Sequence, residues 1–177
     1  SGVSDWNGYS VSSLGDINGD GYDEIVTCGY GGDISYATDV GECYVIYGKA
    51  TGFANINVGS LGTQGFTIIG SLEGDQLGYS VSSAGDVNKD GFYDLVIGAV
   101  GRGVSGAGSQ AGITYIIYGS LSFPSSLNLD SFTSAIGFYV TGRWASGKSG
   151  KAVSSIGDIN NDGFDDIFIG SPESDAS

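Results

Sequence analysis

"GYSVSSLGDINGDGYDEIVTCG", residues 8–29, recurs twice with little change. The second copy is "GYSVSSAGDVNKDGFYDLVIGA" from Gly78 and the third is "GKAVSSIGDINNDGFDDIFIGS" from Gly150. The spacing between copies, about 70 residues, is long for a local motif and typical of repeat architectures. The material between copies matches as well. "YVIYGKATGFANINVGSLGTQGFTIIG" after Cys43 parallels "YIIYGSLSFPSSLNLDSFTSAIGFYVTG" after Thr114. The period therefore covers the whole chain, with units at approximately 8–77, 78–149 and a partial 150–177.

Each unit reads as four short strands. The first is "YSVSS" from Tyr9, repeated from Tyr79 and Lys151, and the second starts at Glu24, Asp94 and Asp166. The third is "CYVIYG" from Cys43 and "TYIIYG" from Thr114; the fourth is "GFTIIG" from Gly65 and "GFYVTG" from Gly137. These runs are rich in β-branched and aromatic residues and are bounded by Gly or Asp/Asn turns. No stretch holds an apolar period of 3.6, so helix is expected to be scarce. The second and third strands are apolar at successive positions, which predicts cover on both faces. Four-stranded antiparallel sheets buried on both faces at a fixed period predict an all-β protein built of β-propeller blades. A β-sandwich is the alternative, and it leaves the uniform repeat without a reason.

The loop between the first two strands carries the chemistry. Counting from Asp16, oxygen-bearing side chains fall at positions 1, 3, 5 and 9: Asp16, Asn18, Asp20 and Glu24. Position 6 is Gly21, and position 7, Tyr22, offers its carbonyl. The second loop gives Asp86, Asn88, Asp90 and Asp94 with the Phe92 carbonyl, and the third Asp158, Asn160, Asp162 and Asp166 with the Phe164 carbonyl. Carboxylates ~4 Å apart repel by roughly 4 kcal/mol per pair at an effective dielectric of about 20. A hard cation with oxygen ligands relieves that repulsion, and calcium suits a flexible all-oxygen shell better than magnesium. The reading is three Ca²⁺ sites. An EF-hand would need a glutamate at position 12, where these loops have Thr27, Ile97 and Ile169. A plain Asx-rich turn would not repeat three times in register.

The pattern Gly-Tyr-Ser-Val-Ser-Ser, then Gly-Asp-x-Asn-x-Asp-Gly-x-x-Asp, then "DLVIGA" resembles the FG-GAP repeat of integrin α-subunit propellers and related surface proteins. The resemblance spans essentially the whole chain, in about two and a half repeats. It implies seven-bladed propellers with calcium held by the loop residues named above. This sequence departs from the family at the opening Phe-Gly, at Lys151, and at position 9 of the first loop, where Glu24 replaces aspartate.

Composition narrows the function. Twenty acidic residues against six basic ones give a net charge of −14, a field that repels nucleic acid and anionic membrane surfaces and attracts cations. No apolar run nears the ~18 residues that span a bilayer. Ser1 stands where an initiator methionine would, which predicts a mature or excised piece. There is no histidine, so the commonest general base and the Ser-His-Asp arrangement are excluded within this chain. Cys28 and Cys43 read equally as a disulfide or as two buried thiols. "GRWASGKS" from Gly142 spells a phosphate loop, but the copies aligned with its continuation are strands where that chemistry needs a helix. "GRGVSG" from Gly101 likewise leads into a strand and reads as a hairpin loop. Arg102, Arg143, Trp6 and Trp144 are candidates for a partner or glycan surface, with core or rim packing the expected role of both tryptophans.

The sequence thus predicts a non-enzymatic, calcium-stabilised extracellular or cell-surface propeller segment for adhesion or scaffolding. Protein or glycan partners and self-association end to end, up to a filament, are expected. Two alternatives are an accessory propeller of a larger surface or secreted enzyme, and a glycan-binding module. With no N-x-[ST] sequon, any attached glycan would be O-linked.

Overall fold

A computed structural model of the chain describes residues 6–33, 37–52 and 55–173. The order is β1 (Ser10–Gly15), β2 (Glu24–Gly29), β3 (Glu42–Ile46), β4 (Gly65–Ile69), β5 (Leu77–Gly85), β6 (Asp94–Ala99), β7 (Ile113–Ile117), β8 (Ser126–Asn128), β9 (Gly137–Thr141), β10 (Ala152–Gly157) and β11 (Asp166–Gly170). Three single-turn 3₁₀ segments are the helical content of the described residues. The protein is all-β, as expected. Strands β1 to β4 form one antiparallel meander, β5, β6, β7 and β9 a second, and β10 with β11 a two-stranded start of a third. These are propeller blades.

β8 is the element that sequence reading passed over. It lies in the connection between the third and fourth strands of the second blade, yet pairs in parallel with β4 of the first, Ile68 opposite Leu127. Leu127 and Leu129 are buried there, and Phe123 stacks on Phe66 with ring centroids 4.4 Å apart. The first blade therefore has five strands, one of them lent by its neighbour. Three residues of extended chain are too short to show a period, so the sequence gives little sign of it.

Blades pack face to face, and the repeated motif supplies the joint. Leu14, Val26, Cys28 and Val45 of the first blade share one apolar core with Val81, Leu95, Ile97 and Ile117 of the second. A smaller cluster of Ala84, Val96 and Ile116 takes Val153 and Ile167 from the third. The serines of "SVSS" fasten these faces. Ser10 Oγ donates to the Gly78 carbonyl and Ser80 Oγ to that of Gly150, both at 2.7 Å, while Ser83 Oγ donates to Leu14 O at 2.9 Å. Gly78 has φ +85°, and an added Cβ would lie 2.5 Å from Cys28 Cβ. A side chain there would wedge the blades apart, which is why the motif opens on glycine.

Cover on both faces holds for the middle blade and fails elsewhere. Every residue of β6 and β7 is buried. In β2, however, Ile25 is 51% exposed, and in β11 Phe168 is 60% exposed. The apolar run marks strands able to be covered twice; among the described residues only β6 and β7 have a sheet on either side. Of the two roles expected for the tryptophans, core or rim, the structure gives the rim. Trp6 and Trp144 are both well exposed, so they sit at the rim and not in the core.

Candidate metal centre

Each acidic loop begins at a β-bulge. The β1–β2 register slips between Ser13 and Gly15, and the same slip occurs between Ser83 and Gly85 and between Ser155 and Gly157. The extra residue, Leu14 in the first blade, goes into the core while the strand turns sharply. The position-1 aspartate then sits at the mouth of the turn in all three units.

The loops fold around that aspartate. Asp16 Oδ1 accepts from the backbone N–H of Gly19 at 2.7 Å and of Asp20 at 3.1 Å, and its Oδ2 accepts from Gly21 N at 2.9 Å. Asn18 Oδ1 accepts from Asp20 N, and Asp20 Oδ1 from Tyr22 N, both at 2.9 Å. The second loop repeats this with Asp86 taking Asp90 N and Gly91 N, and the third with Asp158 taking Asp162 N and Gly163 N. Position 6 is left-handed throughout, with φ of +88°, +91° and +90° at Gly21, Gly91 and Gly163, a region that favours glycine. Asn18, Asn88 and Asn160 each set their side-chain nitrogen against the position-5 carboxylate, at 3.2, 2.7 and 3.0 Å.

Position 9 closes each loop from below. Glu24 Oε2 accepts from Ile17 N at 2.9 Å and its Oε1 from Gly48 N at 3.2 Å. Asp94 does the same with Val87 N and Gly119 N, both at 2.8 Å, and Asp166 with Ile159 N at 3.0 Å. The longer Glu24 side chain thus fills the role of aspartate, and it also reaches Asn18 Nδ2 at 3.3 Å. Glu24 and Asp94 are fully buried. Burial pushes the Glu24 carboxyl up to about 7, against the pull of its two backbone donors, with Asp20 and Asp16 adding repulsion. Asp94 is raised to about 6 for the same reasons.

The structure brings Asp16, Asn18, Asp20 and Glu24 into one hydrogen-bonded network. Asp86, Asn88 and Asp90 are joined likewise, as are Asp158, Asn160 and Asp162, while Asp94 and Asp166 hold backbone amides beneath their loops. Among the described residues no three acidic side chains converge as a ready-made metal cage; asparagine nitrogens and backbone amides stand between them. The donor set still fits a hard cation. Every side chain offers an oxygen ligand, and the buried carboxylates of Glu24 and Asp94 are costly in their charged form, a cost that an adjacent positive charge offsets. The ion pairs Arg102–Asp75, Lys148–Glu173 and Lys151–Glu173 lie outside the loops.

The other sequence candidates resolve structurally. Arg102 is not a free surface cation: its Nη1 lies 2.7 Å from Asp75 Oδ2, tying the β4–β5 connection to the β6–β7 connection. "GRWASGKS" leads to β10, with no helix, and Lys148 pairs with Glu173. "GRGVSG" makes a turn closed by a bridge between Val104 and Gly108. Trp6 stacks near Tyr30, and the Arg143 guanidinium lies 4.7 Å from the Trp144 ring. Cys28 and Cys43, left open by sequence, form a disulfide between β2 and β3. Among the described residues no helix is long and apolar enough to cross a membrane.

Three stretches, 7–46, 77–117 and 150–177, match the family model for the FG-GAP repeat, and each contains one loop with its two flanking strands. The chain belongs to the FG-GAP repeat family. Among curated relatives, this FG-GAP chain is 30% identical to integrin alpha-5 of Xenopus laevis over 93% of its own length and 14% of that protein's. It is 31% identical to integrin alpha-PS5 of Drosophila melanogaster over 98% of its length and 16% of the relative's. It is also 28% identical to the phosphatidylinositol-glycan-specific phospholipase D of Rattus norvegicus, over 92% and 18%. The chain therefore spans less than a fifth of these relatives.

Proposed function

We propose that the chain is a calcium-stabilised, non-enzymatic segment of an extracellular β-propeller, used for adhesion or as a structural scaffold toward protein or glycan partners at a cell surface. The observation that carries this reading is the three-fold recurrence of the acidic loop, with oxygen-bearing side chains at positions 1, 3, 5 and 9 each time. Asp16, Asn18, Asp20, Glu24 and the Tyr22 carbonyl hold the first ion. Asp86, Asn88, Asp90, Asp94 and the Phe92 carbonyl hold the second. Asp158, Asn160, Asp162, Asp166 and the Phe164 carbonyl hold the third. Calcium supplies charge neutralisation, adding six positive charges to the −14 of the chain. The protein supplies position: each loop spans a strand pair, so a bound ion locks a hairpin at the blade interface.

A disulfide is what an oxidising, extracellular setting permits, and integrin relatives support a surface role. The exposed apolar residues Val11 and Ile25 on one outer sheet face and Phe168 on the other support end-to-end self-association. The test is thermal unfolding with calcium and with EDTA. At 100 times its dissociation constant each ion adds about 2.7 kcal/mol, so a saturated protein melts well above the chelated one. The triple variant Asp20→Asn/Asp90→Asn/Asp162→Asn loses that difference. An identical melt with and without EDTA overturns the reading. The similarity to a phospholipase D favours one alternative, an accessory propeller attached to a catalytic domain. The exposed Trp6 and Trp144 favour another, a glycan-binding module, for which glycan-array binding must depend on those rings.

A further inference from the structure

We propose that the three loops take up cations cooperatively, with the residue at position 8 of the second and of the third loop passing order to position 1 of the loop before it. The proposal rests on the reading that the loops hold cations.

The loops are joined to one another across the blade interfaces. Tyr93 N donates to Asp16 O at 3.2 Å, and Asp165 N donates to Asp86 O at 3.2 Å. At the second junction the bond is returned, since Asp165 Oδ2 accepts from Asp86 N at 2.9 Å. Position 8 lies between the carbonyl at position 7 and the carboxylate at position 9, so ordering those two ligands fixes its peptide. Its partner is the backbone of the position-1 aspartate, around which the preceding loop is wound. A second contact runs beside the first. Phe92 at position 7 covers Gly19 at position 4 of the loop before, where an added Cβ would lie 2.6 Å from the ring. Lys89 at position 4 sits over the ring of Phe164, 5.4 Å from its centroid.

These contacts decide the sign of the coupling. Ordering a loop around an ion costs backbone and side-chain entropy. When the third loop is filled, Asp165 grips both backbone groups of Asp86, so the second loop has less left to order. An opposing effect is the field: a filled loop attracts a second cation less. That effect is screened over about 8 Å at physiological salt, whereas the hydrogen bonds act at contact. The two junctions also differ, because Tyr93 makes one bond to Asp16 where Asp165 makes two to Asp86. Coupling is therefore stronger between the second and third loops.

Calcium titration of the ¹⁵N-labelled chain at 0.15 M salt tests this, with the amide signals of Gly91 and Gly163 reporting their own loops. Asp162→Asn, which disables the third loop, raises the calcium midpoint of Gly91 by about fivefold or more, the low end of known site-to-site couplings. In an Asp165→Ala background, which loses the Oδ2 acceptor but keeps the backbone bond to Asp86 O, the same change shifts the Gly91 midpoint clearly less, while Asp165→Asn, which keeps an acceptor oxygen, preserves the full shift. An unmoved or lowered Gly91 midpoint in Asp162→Asn overturns the proposal, and so does a full shift in the Asp165→Ala background. If Asp165→Ala loses its dispersed spectrum, the comparison of wild type with Asp162→Asn decides alone. Amide signals indifferent to calcium would sink the cation reading itself, a different result from three sites that fill independently.

Discussion

The first and second blades carry the same sequence pattern in different surroundings. Ile25 in β2 and Leu95 in β6 occupy the same repeat position, yet Ile25 is 51% exposed and Leu95 is 2% exposed. Cys28 and Cys43 of the first blade correspond to Gly98 and Thr114 of the second. A disulfide joins the first pair, whereas Thr114 Oγ1 is buried with no hydrogen-bond partner. The strand pattern encodes the blade, and the neighbour decides how much each position is worth. In the first blade a covalent link adds to packing on one neighbour, and in the second, packing on both faces holds the middle pair of strands.

The sharpest way to break this comparison is to truncate the matched pair. Leu95→Ala should cost about 3–4 kcal/mol, since it leaves a cavity between blades. Ile25→Ala should cost under about 1 kcal/mol, as expected of a surface position. Equal losses in urea denaturation would mean that burial in the blade stack does not set the energetics. Next in size is the disulfide. Cys28→Ala/Cys43→Ala should lose about 3 kcal/mol, the loop-closure value for about fifteen residues, and reduction of the wild type should give a similar drop in Tm.

Smaller still, Thr114→Val should stabilise the second blade by about 1 kcal/mol, because it removes a buried hydroxyl that has no partner. A lower Tm for this variant would show that the hydroxyl is satisfied in solution. The smallest effect is expected at the third unit. Lys148 and Lys151 pull the exposed Glu173 carboxyl down to about 2 from its ordinary 4.5. A carboxyl lowered on folding adds stability above its unfolded value and loses it as pH falls through its folded one. Glu173→Gln should therefore lower Tm slightly at pH 7, and the gap to wild type should close between pH 4.5 and 2.

Most of this architecture was legible because the repeat repeats. Strand order, the meander and the loop composition came from comparing three copies, and the hydrogen bonds around Asp16, Asp86 and Asp158 follow the oxygen spacing read from the sequence. What escaped were features that one copy has without its equivalents, or that join two copies. β8 is three residues long and pairs outside its own unit, so no local pattern announces it. The bulge that opens each acidic loop is common to all three copies, yet it hides inside an otherwise regular strand. Position 8 is Asp23, Tyr93 or Asp165, variable in type because its bonds to the preceding loop come mainly from the backbone. The partner of Arg102, Asp75, lies 27 residues away, so local sequence does not reveal the ion pair. Exposure of Trp6 and Trp144 depends on neighbours that composition does not specify.

The loan of β8 bears on how such chains are inherited. A cut at the sequence boundary between the first two units would strip β4 of the strand beside it, so the piece that travels intact through duplication or recombination is longer than one period. Gain or loss of a blade between these two units must carry β8 along with β4, which favours events that copy adjoining blades together.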